Sequence, residues 1–102
     1  MAEILLVDAA GMSITMLSNK MDQYSKENNL GYTVVGLADA QAGENITKKQ
    51  PVVIMIAPQV KYMHEKYEEA YGDKIPVVDI EMMSYGMMSA DKVMQQAIDA
   101  LK

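Results

Sequence analysis

Two uninterrupted apolar runs constrain the fold of this chain more than any other feature. Residues 4–7 read Ile-Leu-Leu-Val and residues 52–57 read Val-Val-Ile-Met-Ile-Ala, with no polar residue in either run. A strand with one solvated face would alternate apolar and polar side chains, so both runs are predicted to be strands that are covered on both faces. Such strands are typical of parallel sheets with helices on both sides.

Strand-like and helix-like segments alternate along the rest of the 102 residues. Four strands are predicted: residues 2–7, 32–37, 52–57 and 75–80. The last is predicted to be an edge strand, because Pro76 has no N–H to donate to a neighbouring strand. The alternation predicts one domain, residues 1–102, of the α/β class, with an open four-stranded parallel sheet, right-handed crossovers and helices on both faces.

Apolar residues at helical spacing predict the helices between these strands. Three are predicted: residues 12–28, 60–71 and 90–101. Ser89 is expected to be the N-cap of the last helix. Residues 38–45 are small and polar, and we expect a short helix or turn that breaks at Gly43. Residues 82–88 are predicted to form a loop.

The composition excludes several kinds of function. The chain has no cysteine, which excludes a disulfide scaffold, and His64 is its only histidine, so no metal site and no cofactor are predicted. The formal net charge of −5 argues against nucleic acid as a partner. No apolar run approaches the about 18 residues of a membrane span, and no secretion signal is evident, so a cytoplasmic location is expected. The chain has eleven methionines, and those at helical spacing are expected to pack in the core rather than to act as ligands.

The turn after the first strand is the candidate site. Asp8 follows the strand, and a loop of small residues then runs into a helix: Ala9, Ala10, Gly11, Met12 and Ser13. Ligands of open parallel sheets bind at the carboxyl ends of the strands. A helix start offers unpaired N–H groups and the positive end of a dipole there, which suit an anion such as phosphate. Pro58 and Gln59 follow the third strand and are expected to face the loop across a crevice.

Two roles fit Asp8. Backbone N–H groups of the loop are expected to hold its carboxylate, or else it is a helix N-cap that only stabilises the helix. The loop lacks the Gly-x-Gly-x-x-Gly pattern of dinucleotide sites and the Gly-Lys-Ser/Thr of Walker loops. The residues alone therefore leave open a non-enzymatic, flavodoxin-like module that binds a phosphorylated ligand or a partner.

Three segments resemble one family. Residues 8–15 read Asp-Ala-Ala-Gly-Met-Ser-Ile-Thr, which is similar to the Cys-x-Ala-Gly-Met-Ser-Thr-Ser loop of a bacterial sugar phosphotransferase component. Residues 57–63 resemble its Gly-Pro-Gln-x-x-Tyr-Met segment, and Asp79 followed by Tyr85 and Gly86 matches a third motif. The family is the IIB component of the phosphoenolpyruvate-dependent phosphotransferase system, lactose/cellobiose (chitobiose) type.

The resemblance implies a fold and a function. The fold would be one IIB-type domain, residues 1–102, with strand order 2-1-3-4 in a flavodoxin-like three-layer sandwich. The function would be a phosphoryl relay by a monomer that does not itself span the membrane. The family's cysteine takes a phosphoryl group from a phosphohistidine of the IIA component and passes it to a sugar bound by the IIC membrane transporter. The loop from Ala9 to Ser13 would bind the phosphate, with Pro58 and Gln59 as the crevice wall.

This chain departs from the family at the acceptor position. Asp8 stands where the family has cysteine, so phosphocysteine cannot form. A phosphorylated side chain has a charge of about −1.5 to −2 at neutral pH, and a carboxylate is a partial mimic of it. The resemblance therefore implies a protein-phosphohistidine–sugar phosphotransferase whose Asp8 form is inactive or phosphomimetic, by an introduced change or by natural loss. A third alternative is that Asp8 itself takes up phosphate as an acyl phosphate.

Overall fold

The computed structural model describes residues 2–102. Its strands are β1 (Ala2–Asp8), β2 (Tyr32–Ala38), β3 (Val53–Ile56) and β4 (Val77–Asp79). Its α-helices are α1 (Met12–Glu27), α2 (Asp39–Lys49), α3 (His64–Tyr71), α4 (Met82–Gly86) and α5 (Ala90–Ala100). A 3₁₀ segment, Pro58–Met63, connects β3 to α3.

The four strands form one parallel sheet of order β2-β1-β3-β4. The two apolar runs are its central strands, and Val7 of β1 lies between Leu37 of β2 and Ile56 of β3. Residues 4–7 of β1 and all four residues of β3 are completely buried on both faces, as the absence of polar residues predicted. The strand order and the edge position of β4 are confirmed.

The helices cover both faces of this sheet. The crossover through α1 connects β1 to β2 at one edge of the sheet. The crossovers through α2, from β2 to β3, and through α3, from β3 to β4, run in the opposite direction across the sheet. Right-handed crossovers in opposite directions put their helices on opposite faces. α1 therefore shares one face with α5, which it contacts, and α2 and α3 cover the other face. The predicted three-layer α/β architecture is confirmed.

α1 lies unusually close to the edge strand β2. A Cβ atom on Gly36 would lie 2.7 Å from the carbonyl oxygen of Ile14 and 2.8 Å from Ser18 Oγ. The backbone N–H of Val34 donates to Asp22 Oδ1 at 2.9 Å, and this bond holds the pKa of the Asp22 carboxyl below its ordinary value. Glycine at position 36 is what allows the helix to approach the strand this closely.

The expected break at Gly43 does not occur. α2 continues to Lys49 because Ala42 and Ile46 are one turn apart and both are buried, so the helix is held against the core on both sides of the glycine. It ends at Gln50, whose φ of 50° is the left-handed conformation common at helix ends, directly before Pro51. Tertiary packing overrides the weak local helix preference here.

The expected loop over residues 82–88 is also wrong. It contains α4, whose first turn is capped by the Glu81 carboxylate, which accepts the N–H of Met83 at 3.0 Å and of Ser84 at 3.1 Å. The Ser84 hydroxyl and these two N–H groups together hold the pKa of the Glu81 carboxyl below its usual value. Capping of this kind lets a helix of five residues persist.

The helix expected over residues 60–71 is divided in two. Val60 has a φ of −123° and a ψ of 30°, so the chain turns as a 3₁₀ segment before α3 begins at His64. Ser89 does precede α5, but its side chain makes no capping hydrogen bond. The Ser89 N–H instead donates to the carbonyl of Ser84 at 2.9 Å, which ties α5 to the end of α4.

A polar cluster joins α2 to α3. Asp39 Oδ1 accepts from Lys66 Nζ at 2.9 Å and from the Tyr67 hydroxyl. The Tyr67 bond, followed by the Lys66 bond, holds the pKa of the Asp39 carboxyl below its ordinary value. Burial, with the Asp39 carboxylate, raises the pKa of the Tyr67 hydroxyl above its usual range. The charged form of Asp39 is therefore favoured by the folded state.

The Gly36→Ala substitution tests the packing of α1. We expect it to lower the free energy of unfolding by about 1–3 kcal/mol, because the added methyl group must push the helix away from the strand. Urea unfolding followed by circular dichroism measures the change. Gly86→Ala is the matched control, since nothing lies within 4 Å of a Cβ there, and it should stay within about 0.5 kcal/mol. Equal losses in the two variants would contradict the close packing.

The Asp39 cluster predicts a pH dependence of stability. The pKa of Asp39 is lower in the folded state, so its contribution is complete above the unfolded value of about 3.9 and is lost as the pH falls through the folded pKa. Asp39→Asn should therefore destabilise the protein at neutral pH and by less at about pH 3. The urea concentrations at the midpoint of unfolding, measured for both proteins at neutral pH and at about pH 3, give the difference. The exposed Asp73→Asn variant is the control, and an Asp39→Asn effect that is the same at both pH values contradicts the prediction.

Candidate functional site

The carboxyl ends of three strands meet at Asp8. This residue is the register partner of Ala38 at the end of β2, and the N–H of Ala57, after β3, donates to the carbonyl of Val7 at 2.9 Å. Asp8 therefore lies between the two neighbouring strand ends, at the edge where parallel sheets bind ligands. Its side chain is 9% exposed.

Two donors hold the Asp8 carboxylate. The N–H of Ala9 donates to Oδ1 at 2.7 Å, and the hydroxyl of Tyr85 donates to Oδ2 at 3.4 Å. Ser13 Oγ lies 3.0 Å from the same tyrosine oxygen. Since the tyrosine has only one hydroxyl hydrogen and directs it to Asp8, the serine is the donor to the tyrosine. A chain of hydroxyls thus runs from α1 through Tyr85 to the carboxylate.

The local expectations for Asp8 are met only in part. One backbone N–H, that of Ala9, contacts its carboxylate, where several were expected. The N-cap interpretation is wrong, because the N-cap of α1 is Gly11, with a φ of 86°, and within residues 2–102 no side chain caps that helix. The N–H groups of the first turn of α1 therefore remain open at the positive end of the helix dipole.

A groove lies beside the loop, along β2. Its volume is about 700 Å³, and it is lined by the loop and first turn of α1 together with Leu37, Ala38 and Gln41. Gln41 was not predicted as a site residue. Pro58 begins the 3₁₀ segment next to Ala57, and Gln59 is exposed. The groove follows β2, and the crevice expected between the loop and the residues after β3 stays a prediction.

The single histidine, His64 at the start of α3, lies between two carboxylates. His64 Nδ1 is 3.0 Å from Asp79 Oδ1, and its Nε2 is 3.5 Å from Glu68 Oε1. This arrangement fastens the start of α3 to the end of β4. Over residues 2–102, no three His, Cys, Asp or Glu side chains come together as a group that could hold a metal ion.

Exposed methionines flank Ser13 and Tyr85, whereas Met21 and Met94, which are at helical spacing, are buried as expected. Five methionines are between 59% and 83% exposed, and we call them the methionine rim: Met12, Met16, Met82, Met83 and Met87. The exposed Tyr62 lies on the 3₁₀ segment. Among the methionines of residues 2–102, only Met21, Met55 and Met94 are fully buried. The signal in the sequence was the density of methionine around Tyr85, which core packing does not require.

Comparisons with known proteins agree with this fold. Residues 3–96 match the family described as "PTS system, Lactose/Cellobiose specific IIB subunit", in which PTS denotes the phosphotransferase system. Within the described residues, 2–102, no helix is both long enough and apolar enough to cross a membrane.

Relatives of known name cover nearly the whole chain. The galactose-specific EIIB component of Lactococcus lactis subsp. cremoris is 34% identical over 98 residues, which cover 92% of this chain and 91% of that protein. The oligo-beta-mannoside-specific EIIB component of Bacillus subtilis is 31% identical over 102 residues, 99% of this chain and 97% of that protein. The solution structure of the cellobiose-specific phosphotransferase IIB component of Borrelia burgdorferi has a TM-score of 0.76 at 35% identity and covers 98% of this chain and 91% of its own. This chain belongs to the lactose/cellobiose-specific IIB subunit family of the phosphotransferase system.

Proposed function

We propose that this chain is a IIB phosphoryl-carrier subunit whose acceptor cysteine is replaced by Asp8. In the relay, the acceptor takes a phosphoryl group from a phosphohistidine of IIA and passes it to a sugar at the IIC transporter. The observation that carries the proposal is the position of Asp8: a nearly buried anion at the shared edge of three strands, beside the uncapped start of α1. Membership of the family supports the same assignment.

The environment of position 8 suits an anionic acceptor. The Ala9 N–H and the Tyr85 hydroxyl both donate hydrogen bonds to this side chain. A thiolate at the same position would receive the same two donors, and its pKa would be lowered by them and by the start of α1. The open N–H groups at the start of α1 follow this position closely in sequence and suit phosphate oxygens.

Asp8 blocks the covalent part of the relay. Transfer into a cysteine breaks the N–P bond of the phosphohistidine and forms an S–P bond. Transfer out breaks that S–P bond as a sugar hydroxyl attacks phosphorus. Asp8 has no sulfur, and its two oxygens already accept hydrogen bonds. This form therefore presents a fixed negative charge to its partners and transfers nothing.

The methionine rim supports a single docking face for both partners. Its side chains surround the only position from which a phosphoryl group enters or leaves, so IIA and IIC must use this face in turn. Flexible thioethers adapt to two different partner surfaces. The chain acts as a monomer in this scheme, since a second copy on the rim would exclude both partners. The contacts are transient because a carrier must release each partner.

The rival function, a flavodoxin-like binding module, has less support. A bound flavin needs aromatic side chains on which its ring can stack, and none of the residues that line the groove beside the loop is aromatic. Titration with flavin mononucleotide distinguishes the two functions. Saturable flavin binding would favour the rival.

The relay itself is tested by restoring the acceptor. Asp8→Cys is expected to gain one phosphoryl group, about 80 Da, when it is incubated with a phosphorylated IIA component of the lactose/cellobiose type. The unsubstituted chain and the Asp8→Ala variant should gain no phosphoryl group. Intact-mass spectrometry measures the mass of all three proteins. Absence of phosphate on Asp8→Cys would contradict the relay. Hydroxylamine-sensitive phosphate on the Asp8 chain would instead establish an acyl phosphate and contradict its inactivity.

The role of Tyr85 as a positioning residue is tested in the Asp8→Cys background. The chain has no cysteine of its own, so the pH dependence of iodoacetamide alkylation reports that one thiol alone. We expect its pKa to lie below the ordinary value of about 8.5 and to rise by about one unit in Tyr85→Phe, the effect of one hydrogen bond to a charged group. Tyr62→Phe is the control, because that ring is 75% exposed. An unchanged profile in Tyr85→Phe would remove this residue from the site.

A further inference from the structure

We propose that the methionine rim is a reversible oxidation site, and that its conversion to sulfoxide by a peroxide weakens docking of the IIA component at the Asp8 face. The proposal rests on the proposed function where it concerns the IIA partner. The oxidation itself requires only residues of this chain. These are the exposed thioethers of α1, of α4 and of Met87, which directly follows α4.

Solvent exposure separates the rim from the core. Rim side chains are at least 59% exposed, whereas Met21 and Met55 are 0% exposed and Met94 is 1% exposed. Oxidation of methionine follows the access of oxidant to sulfur. Thiols are the usual competing targets of peroxides, and this chain has no cysteine. Exposed thioethers are therefore its most accessible oxidisable groups.

Tertiary structure brings the two halves of the rim together. Met12 and Met16 are one turn apart on α1 and flank Ser13. The hydrogen bond of 3.0 Å between Ser13 and Tyr85 joins this turn to α4. Exposed methionines precede the tyrosine within α4, and Met87 follows directly after the helix. The five thioethers thus border one site, although about 70 residues separate the two groups along the chain.

Their exposure points to a contact surface. Large apolar side chains are usually kept out of water, and a concentration of exposed ones marks an interaction site. Each rim methionine leaves its apolar thioether in solvent beside the only buried carboxylate that the sheet edge presents, within residues 2–102. A partner that reaches Asp8 must therefore cover the rim, and its affinity depends on the apolar character of those sulfur atoms.

The oxidation step is a two-electron oxygen transfer. A lone pair of the thioether sulfur attacks one oxygen of hydrogen peroxide, the O–O bond breaks, an S–O bond forms, and water leaves after proton transfer. The sulfur is oxidised and the peroxide is reduced. The product is a polar group with a strong hydrogen-bond acceptor, and methionine sulfoxide reductases restore the thioether. Burial of a sulfoxide without a donor should weaken docking about tenfold or more.

The experiment uses the whole chain. After limited treatment with hydrogen peroxide, peptide mass mapping should locate gains of about 16 Da on the rim and none on Met21, Met55 or Met94. Isothermal titration calorimetry with the IIA component then compares the untreated chain, the oxidised chain and the chain repaired by the two reductases. We expect binding to weaken at least tenfold on oxidation and to recover on repair, with an unchanged circular dichroism spectrum.

Two variants of the rim separate the effect of sulfur oxidation from the effect of surface polarity. The variant with all five rim methionines replaced by leucine has no rim sulfur, so its affinity for IIA, whatever its starting value, should be the same before and after peroxide treatment. The variant with five glutamines mimics the polarity of sulfoxide and should bind weakly without oxidant. Both sets of substitutions lie on exposed side chains, so the core is unchanged.

The outcomes separate this proposal from the proposed function. If the untreated chain binds IIA and the oxidised chain binds equally well, the oxidation proposal is overturned and the proposed function stands. If the core methionines oxidise as fast as the rim, the assignment of the site is overturned. If the untreated chain does not bind IIA at all, the proposed function fails, and the docking part of this proposal fails with it.

Discussion

The structure depends on covering both faces of its two central strands. β1 and β3 offer no polar side to water, so helices must pack above and below the sheet, and each crossover must pass from one end of the sheet to the other. All the strand-to-helix loops therefore emerge at one edge. Asp8 lies at this edge, between the ends of β2 and β3, because it directly follows the buried residues of the central strand β1.

The loop after β1 combines a buried charge with an open helix end. The carboxylate of Asp8 is taken almost wholly out of water, and the Ala9 N–H and the Tyr85 hydroxyl replace its lost hydration. The start of α1 has no side-chain cap, so its positive end faces the same space. The donors that contact the side chain at position 8 and the uncapped helix start thus belong to one loop and its Tyr85 neighbour.

Sequence reasoning predicted the strands well and the short helices poorly. Continuous apolar runs have one physical explanation in a chain of this size, which is burial on both faces, and they located β1 and β3 to within a residue or so. Residues 38–45 and 82–88 have no such pattern. α2 passes through Gly43 because Ala42 and Ile46 are buried, and α4 exists because Glu81 caps it, and both causes lie in contacts rather than in local preference.

The sequence by itself determined the alternation of strands and helices, the small-residue turn at Asp8 and, through its motifs, the resemblance to a IIB component. Those features are local, since they depend on which side chains avoid water and on which residues follow a strand. Only the tertiary structure decided that Tyr85 reaches Asp8, that the groove follows β2, and that methionines of α1 and α4 form one border. These are pairings between segments distant in the chain, and the distance between two such segments is set by packing of the whole sheet rather than by any residue's own pattern.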